Sequence, residues 1–539
     1  MRLTAEQQDA VEFTGNLVIT ACPGSGKTTI LTYKIIQALN GCVEHQGVVS
    51  LSYTNKSSDE LKARCAIINR DIKASFFGTT DKFLLKEIVL PFVKHVWRSP
   101  SVQPDIIKAD ELSLDEKEML APYLVPGNFP KNQTKSGMSS LEQLYERGLI
   151  VLETVPLMAL YIMNEAIACR RYLTARYTSI FVDEYQDTGF FAHEFFRRIS
   201  TLEIKLTVVG DIDQSIYLYA HRSADALKDF IRDPDFSHKQ ITLNHRCHPS
   251  VINYANRLRD PDCVLLESDS IRVYHKRITG DQTDIATWID AQIAGLKQHL
   301  SIEHNMGIAI LVRSNKCAEL ISDSLAVPSR AYIDDALSKA GDVVSGLIKK
   351  LLQYRYSDKT LAQPLLDEYL SPVTKRADVL LARKLIRQVR SATDAGLLDA
   401  INRAIFAFTG KELNDVHITG ITDVLTVPRV RNNYLRVRED EVQIMTLHKS
   451  KGLEFDVVLH LDLYDWVLPA REFIEGSWDV VYQNEQQCLN LHYVGVSRAR
   501  KAVVLVHSTR RFNSRGDIKP GRASQFLSRP GLGGLYNEL

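Results

Sequence analysis

The sequence predicts an α/β fold of two lobes, in which parallel sheets are flanked by helices and each lobe carries a mainly helical insertion. The first observation is length, because 539 residues are too many for one compact core. The second is a set of short buried strand patterns, several of which run directly into apolar spacing typical of a helix. The third is that strand patterns recur far along the chain, which indicates a second sheet.

The predicted domain boundaries follow from these patterns. Helical spacing such as that of 379–386 marks the second insertion, which is short. We therefore divide the chain into a first lobe of 1–75 and 166–240, its helical insertion of 76–165, a second lobe of 241–330 and 426–539, and a reduced helical insertion of 331–425.

The composition excludes several classes of protein. A hydrophobic fraction of 45%, a charged fraction of 24% and a net charge of +1 are ordinary for a globular protein, and they show no overall basic excess. The eight cysteines are scattered without a CxxC pair, which argues against a zinc site and suits a reducing compartment. The N-terminus lacks a secretory apolar core, and no run approaches the ~18 apolar residues that span a bilayer. We therefore expect a cytoplasmic protein with no membrane partner.

A glycine-rich segment joins an early predicted strand to a predicted helix. The strand pattern of 16–20 precedes it, and helical spacing follows. The segment reads Ala21-Cys22-Pro23-Gly24-Ser25-Gly26-Lys27-Thr28-Thr29. Glycines let backbone N–H groups approach phosphate oxygens, and a helix N-terminus adds a favourable field. Lys27 is expected to reach the β- and γ-phosphates of ATP and Thr28 to ligate Mg²⁺, with Ala21 a small departure from the general pattern.

Polar side chains follow two further predicted strands. The strand 178–182 ends in Asp183 and Glu184, of which Asp183 would hold Mg²⁺ and Glu184 would orient or deprotonate the attacking water. The strand 206–209 leads into a turn that contains Gln214. Because ligands meet the carboxyl ends of strands in α/β sheets, Gln214 is placed to sense the γ-phosphate. Together these motifs favour a nucleotide site over a solvated acidic turn.

Two arginines extend the pattern beyond a simple P-loop protein. Arg246 follows the strand-like run 240–243, and Arg498 precedes the strand 502–506. Each is a candidate arginine finger, which neutralises charge on a transferring phosphoryl group. These later strands imply a second α/β lobe and nearly exclude an unrelated nucleotide kinase. Arg313 ends another strand of that lobe and is a candidate DNA contact.

The order and wording of the motifs resemble the UvrD/Rep group of superfamily 1 helicases. The resemblance spans nearly the whole chain and implies two RecA-like P-loop lobes that close around one ATP. The matching segments are Leu3–Gln8, Tyr53–Lys56, Asp183–Asp187, Asp213–Tyr217, Gly452–Phe455 and Ser497–Ala499. The implied cofactors are ATP and Mg²⁺, and the implied activity is that of an ATP hydrolase of the DNA helicase type.

The resemblance also implies roles that spacing alone leaves unassigned. Gln7 stands where the group reads adenine, and Glu454 stands where it contacts ribose. His245 replaces a tyrosine that stacks on adenine in the group, so less area would be buried. The implied nucleotide contacts are Gln7, Gly24, Ser25, Gly26, Lys27, Thr28, Thr29, His245, Gly452 and Glu454.

A separate set of residues is predicted to contact single-stranded DNA. Aromatic side chains in this set offer platforms on which bases can stack, at roughly 1–3 kcal/mol for each base. The set comprises Tyr53, Asn55, Thr79, Tyr217, Tyr219, Arg313 and His448. The segments Thr80-Asp81 and Ala220-His221 differ from the corresponding motifs of processive relatives, so we expect weaker tracking along DNA than in those enzymes.

One subgroup of this family shares further sequence segments with the chain. The segment Gly78–Phe83, like Asn244–Cys247 and His492–Val494, resembles the helicase-like subunits of Gabija anti-phage defence systems. That resemblance implies a partner, a GajA-like nuclease of the OLD family, in a hetero-oligomer. The chain is then expected to hydrolyse ATP in response to single-stranded DNA or DNA ends. The alternative is a free-standing 3′–5′ DNA repair helicase.

Overall fold

The computed structural model describes residues 3–69, 71–102, 104–124, 134–216, 224–357, 361–369, 375–472, 481–513 and 515–539. The chain divides into two units, one of Met1–Cys247 with Gln486–Tyr493 and the other of His248–Glu485 with Val494–Leu539. We call them unit 1 and unit 2. Each is built on its own large parallel sheet, so the predicted fold class is confirmed.

Unit 1 contains a six-stranded parallel sheet. The strands of this unit are β1 (Leu17–Ala21), β2 (Gly47–Ser52), β3 (Phe76–Thr79), β4 (Asp105–Ile107), β5 (Leu149–Val151), β6 (Tyr177–Val182), β7 (Lys205–Gly210) and β8 (Ser237–Ile241). The sheet order is β3-β2-β6-β7-β1-β8, while β4 and β5 form a separate parallel pair. The central strands are almost entirely buried, which explains why they read as near-continuous apolar runs.

Helices surround this sheet and fill the insertion between β3 and β6. They are α1 (Ala5–Glu12), α2 (Lys27–Asn40), α3 (Asn55–Ile68), α4 (Thr80–Phe83), α5 (Leu90–Phe92), α6 (Leu114–Leu124), α7 (Thr134–Glu146), α8 (Val155–Glu165), α9 (Ile167–Arg176), α10 (Phe190–Ser200) and α11 (Asp225–Arg232). The insertion and the sheet share one core, to which Phe83, Ile162 and Phe195 contribute. By length and apolarity, no single helix of the described residues qualifies as a membrane span, and Leu152–Glu165 with Ile167–Arg176 qualify only as a pair bent by 97°.

The sheet of unit 1 extends past two of the boundaries that the sequence predicts for the first lobe, those at 75 and 240. β3 pairs with β2, placing Phe76 opposite Val49, so residues 76–79 belong to the sheet rather than to the helical insertion. β8 pairs with β1, placing Ile241 opposite Ala21, so the first sheet continues to 241 and the strand-like run 240–243 does not open the second lobe. Both are edge strands in which most side chains are partly buried or exposed, and such strands give a weak apolar pattern.

Unit 2 contains a seven-stranded parallel sheet. The strands of this unit are β9 (Val273–Ile278), β10 (Ile308–Val312), β11 (Ser329–Ala331), β12 (Val442–Thr446), β13 (Phe455–His460), β14 (Arg471–Glu472), β15 (Val481–Tyr482), β16 (Ala499–Ser508), β17 (Arg510–Phe512), β18 (Ile518–Pro520) and β19 (Asn537–Glu538). The sheet order is β11-β12-β10-β13-β16-β9-β19, and two small antiparallel pairs, β14 with β15 and β17 with β18, lie outside it.

The helices of unit 2 fall into two groups. The helices are α12 (Pro249–Arg259), α13 (Gln282–Leu300), α14 (Asn315–Ser324), α15 (Ala336–Ala340), α16 (Val343–Tyr356), α17 (Ala362–Tyr369), α18 (Arg376–Ser391), α19 (Leu397–Thr409), α20 (Asp415–Thr426), α21 (Pro428–Asn432) and α22 (Glu485–Val496), the last partly in unit 1. Those between β11 and β12 pack around a core of their own, which includes Leu347, Ile386 and Ile401. This part of unit 2 is therefore a small helical subdomain.

Candidate nucleotide site and nucleic-acid face

Three adjacent strands of unit 1 carry the predicted nucleotide motifs at their carboxyl ends. The glycine-rich loop follows β1, the turn with Gln214 follows β7, and Asp183 with Glu184 follows β6. β7 lies between the other two and pairs with both in parallel. Because parallel strands end at the same edge of a sheet, these motifs form one row. The structure thus brings together the unit 1 residues that the sequence assigns to phosphate, water and metal.

The glycine-rich loop has the backbone conformation of a phosphate cradle. Gly24 and Gly26 have φ values of 70° and 82°, which lie in the left-handed region. Gly26 caps α2 without any side-chain hydrogen bond, which leaves the first N–H groups of the helix for an anion. Lys27 folds over the loop, with Nζ donating to the carbonyls of Ala21 at 2.9 Å and Cys22 at 3.3 Å. The loop can therefore bind phosphate with both N–H groups and an ammonium.

Gln7 supports this loop directly. Its side chain is buried, and Nε2 donates to the carbonyl of Ser25 at 2.8 Å. Oε1 accepts from the backbone N–H of Thr4 at 3.0 Å, within the capping box that begins α1. Both ends of the amide are engaged, so contact with adenine requires Gln7 to share or exchange these partners. Recognition of adenine by Gln7 stays a prediction, whereas the structure shows the hydrogen bond from Gln7 to the glycine-rich loop.

The acidic pair after β6 lies on a constrained turn. Glu184 has a φ of 54°, which is uncommon for a residue other than glycine and clusters at functional sites. Its backbone N–H donates to Oδ1 of Asp183 at 2.9 Å, and the N–H of Asp183 donates to the carbonyl of Leu51 on β2. These contacts fix the backbone from which both carboxylates project.

The residues present fit a Mg²⁺ ion that is bound together with a nucleotide. Among the described residues, no group of three or more His, Cys, Asp and Glu side chains could hold a metal ion. Mg²⁺ in phosphate sites needs fewer protein ligands, since it uses one or two carboxylates with substrate phosphates and water. The hydroxyl of Thr28 on α2 and the carboxylate of Asp183 supply hard oxygen donors at the same sheet edge.

The segment after β8 packs against the glycine-rich loop. The N–H of His245 donates to the carbonyl of Gly24 at 3.0 Å, and Oδ1 of Asn244 accepts from the N–H groups of Arg246 at 2.8 Å and Cys247 at 3.1 Å. Arg246 thus lies in unit 1, whereas the predicted boundary at 240 places it in the second lobe. The reason is that β8, which leads into the segment, belongs to the first sheet. Asn244, to which the sequence pattern assigns no role of its own, shapes this turn through its side chain.

In unit 2 the predicted nucleotide residues precede neighbouring strands. Glu454 lies directly before β13 and pairs with Arg500 at 2.8 Å. Arg498 lies directly before β16 with 2% of its surface exposed, and Nε donates to the carbonyl of Val494 at 3.1 Å. Gly452 has a φ of 79°, which only glycine adopts readily. Since β13 and β16 are parallel neighbours, Glu454 and Arg498 share the amino-terminal edge of this sheet.

The predicted DNA residues that the structure describes follow or end other strands of the two sheets. In unit 1, Tyr53 and Asn55 follow β2, which is the neighbour of β6, and Thr79 ends β3, the edge strand beyond β2. In unit 2, Arg313 follows β10 and His448 follows β12, at the carboxyl-terminal edge and thus opposite Glu454 and Arg498. The segment 447–454 connects the two edges of the unit 2 sheet. Tyr217 and Tyr219 lie outside the described residues.

His448 is half-buried at its sheet edge. Burial, together with the charges of Arg313 and Lys451, lowers the pKa of His448 to about 4. The imidazole is therefore neutral at physiological pH, and it would approach nucleic acid by stacking or hydrogen bonding rather than as a cation. Tyr53 is 38% exposed, which leaves part of its ring open to a base.

Comparison with known proteins agrees with this arrangement. The model of an AAA domain matches residues 7–220, and that of the UvrD-like helicase C-terminal domain matches residues 332–510. The chain is 25% identical to the Gabija protein GajB of Bacillus cereus, across 93% of this chain and 94% of GajB. It is 22% identical to the ATP-dependent DNA helicase Rep of Buchnera aphidicola, across 98% of both chains, and 20% identical to PcrA of Staphylococcus aureus, across 94% of this chain and 83% of PcrA. The two family models together cover most of the chain, which thus has the domain composition of the UvrD/Rep-type helicases, a group of ATP hydrolases.

Proposed function

We propose that this chain is a DNA-dependent ATPase that serves as the DNA-sensing subunit of an anti-phage nuclease complex of the Gabija type. The main support for ATP hydrolysis is the row of motifs at the ends of the adjacent strands β1, β7 and β6. The similarity to GajB over nearly the full length of both chains supports the role in defence. The segment 447–454, which joins the two edges of the unit 2 sheet, supports the dependence of hydrolysis on DNA.

In the proposed reaction, the residues of unit 1 bind and orient the triphosphate. Lys27 and the N–H groups that begin α2 bind its β- and γ-phosphates, and Thr28 with Asp183 would hold the Mg²⁺ ion that offsets phosphate charge. Glu184 orients or deprotonates the attacking water, and Gln214 senses the γ-phosphate. Arg246 and Arg498 neutralise charge on the transferring phosphoryl group.

DNA enters this proposal as the activating ligand. Tyr53 offers a ring for base stacking, Asn55 begins α3 shortly after β2, and Thr79 ends the neighbouring strand β3. Arg313 and His448 occupy the corresponding edge of the unit 2 sheet. Binding there would move the segment 447–454, and with it Glu454, which would change hydrolysis without a direct contact between DNA and nucleotide.

The partner in this proposal is a GajA-like nuclease of the OLD family. The helical subdomain between β11 and β12 is small, and the alignment with Rep extends over 654 positions although this chain has 539 residues, so Rep carries segments that this chain lacks. A reduced accessory subdomain suits a sensor that reports to a nuclease better than it suits a processive motor.

The second candidate function is a free-standing 3′–5′ DNA repair helicase, which the match to Rep across 98% of both chains favours. A strand-displacement assay on a 3′-tailed duplex, run beside a pull-down with the nuclease, separates the two. A sensor binds the nuclease and displaces little strand alone, with Glu184→Gln as the control for ATP-driven displacement. Robust unwinding of long duplexes by the lone chain, without a stable complex, supports the repair helicase.

A further inference from the structure

A buried glutamine side chain joins the ends of β6 and β7 in unit 1. Gln186 is fully buried and lies in the turn Tyr185–Asp187, directly after Glu184. Its Oε1 accepts a hydrogen bond from the backbone N–H of Asp211 at 3.0 Å. Its Nε2 donates to Oε2 of Glu184 at 2.5 Å. One amide therefore links the predicted water-activating carboxylate to the neighbouring strand end.

The orientation of this amide is determined by its surroundings. A backbone N–H can only donate, so Oε1 of Gln186 must face Asp211 and Nε2 must face Glu184. The approach of the turn to β7 also depends on Gly210, because a Cβ there would lie 2.6 Å from Oε1 of Gln186. The Gln186 amide that donates to Glu184 is thus oriented by the backbone N–H of Asp211, directly after β7.

The network continues from Asp211 to the γ-phosphate-sensing turn. The carboxylate of Asp211 accepts from Nε2 of Gln214 at 2.5 Å and from the N–H of Asp213 at 3.1 Å. Asp211 and Gln214 are both buried, so these bonds are protected from competition by water. Glu184, Gln186, Asp211 and Gln214 form one connected path between the two predicted catalytic side chains of this edge.

We propose that Gln186 is a positioning residue, which holds the carboxylate of Glu184 in the orientation that activates water and couples it to the turn of Gln214. The inference rests on the proposed ATPase function. Glu184 projects from a left-handed backbone, so its carboxylate depends on side-chain contacts for its orientation. Loss of one such contact misplaces a reacting group, which costs about 10- to 100-fold in rate, while phosphate binding by the loop is untouched.

Two substitutions of Gln186 test this role. Gln186→Met keeps the length of the side chain and removes both hydrogen bonds. Gln186→Glu keeps an acceptor for the N–H of Asp211 but removes the donor to Glu184. For both we expect kcat for DNA-stimulated ATP hydrolysis to fall about 10- to 100-fold, with KM for ATP changed less than about threefold.

Tyr185→Phe is the matched control. Tyr185 is buried in the same turn, and its hydroxyl is bonded to Nδ1 of His193 at 3.0 Å, away from Glu184. This variant loses one buried hydrogen bond and should lower the melting temperature while kcat stays close to that of the wild type.

The outcomes separate this inference from the proposed function. An active wild type with unchanged kcat in both Gln186 variants overturns the inference and leaves the ATPase intact. Equal losses of kcat in the Gln186 variants and in Tyr185→Phe also overturn it. A wild type that hydrolyses no ATP, with or without DNA, overturns the proposed function and the inference together.

Discussion

The backbone N–H of His245 donates to the carbonyl of Gly24 at 3.0 Å, so the segment that carries Arg246 is anchored on the phosphate-binding loop. A Cβ on Gly24 would lie 2.5 Å from Cβ of Arg246 and from Oδ1 of Asn244. The loop and the arginine segment therefore constrain each other. A change in either is expected to disturb phosphate binding.

Gly24→Ala should weaken nucleotide binding strongly. The residue has a φ of 70°, where an L side chain costs about 1–2 kcal/mol, and the added methyl group meets Arg246 and Asn244. Binding of a fluorescent ATP analogue measures the effect. Gly189→Ala is the control, since a Cβ there has no neighbour within 4 Å and no positive φ is required. Equal binding by Gly24→Ala and the wild type would refute this account of the loop.

Lys27→Ala and Glu184→Gln should each abolish ATP hydrolysis. Lys27 supplies the ammonium over the phosphate loop, and Glu184→Gln removes the charge of the water-activating carboxylate while it keeps the shape. Glu184→Gln should still bind ATP, whereas Lys27→Ala should bind it weakly. Steady-state hydrolysis and equilibrium binding distinguish the two, with exposed Lys339 on α15 as the site of a control alanine. Near-normal turnover in either variant contradicts the site assignment.

Arg246→Ala and Arg498→Ala should reduce turnover more than ATP binding. An arginine that neutralises transition-state charge is worth roughly 10³–10⁵ in rate in well-studied enzymes. Arg498 is buried and donates to main-chain carbonyls, so its alanine variant should also lose stability. Arg498→Lys, which keeps the charge, separates the two effects when kcat and thermal melting are measured together. Weak nucleotide binding with normal turnover would be the opposite of the expected pattern.

Tyr53→Ala should weaken the stimulation of hydrolysis by single-stranded DNA and spare the basal rate. The exposed ring follows β2, among the residues predicted to contact DNA, and base stacking on an aromatic ring contributes roughly 1–3 kcal/mol. Tyr53→Phe retains the ring and should retain stimulation. The DNA concentration that gives half-maximal stimulation should rise steeply with salt, because phosphate contacts release counterions. An unchanged half-maximal concentration in Tyr53→Ala would remove Tyr53 from the interface.

Unit 2 should lose stability as pH falls from neutrality. Burial lowers the pKa of His460 to about 4, and burial with nearby charges lowers the pKa values of His448 and His507 to about 4. In the unfolded chain these pKa values are about 6.5, so the unfolded state binds more protons between these limits. The contribution of these histidines to the stability of the folded state is therefore complete above about pH 6.5 and is lost progressively as the pH falls towards about 4.

Urea unfolding at pH 7 and pH 5 measures this dependence. The midpoint should fall at pH 5, and His460→Asn, which keeps a donor for the carbonyl of Leu461, should reduce the difference between the two values. Equal midpoints for the wild type at the two pH values would show that these histidines do not destabilise the folded state on protonation.

The sequence predicts the local parts of the site better than the long-range parts. The order of β1, Gly24, Gly26 and Lys27 is local, since a strand, a glycine turn and a helix start follow one another. The neighbours of Gln186 are not, because Asp211 lies 25 residues away and meets it only through the pairing of β6 with β7. A buried amide inside an acidic motif carries no periodic signal of its own.

The difference between local and long-range signals also explains why the predicted boundaries of the first lobe miss the true extents of β3 and β8. β3 and β8 are edge strands whose half-buried patterns do not separate them from a helical insertion or from the next lobe. Their place is set by pairing with β2 and β1 rather than by their own composition. The position of Arg246 depends on β8, so it too could not be read from the sequence.

The most direct test of the central claim is the steady-state rate of ATP hydrolysis by the purified chain as single-stranded DNA is added. The proposal predicts a low basal rate that rises to saturation with DNA and is absent in Glu184→Gln at every DNA concentration. A rate that does not respond to DNA, or one that persists in Glu184→Gln, would contradict a DNA-dependent ATPase at this site.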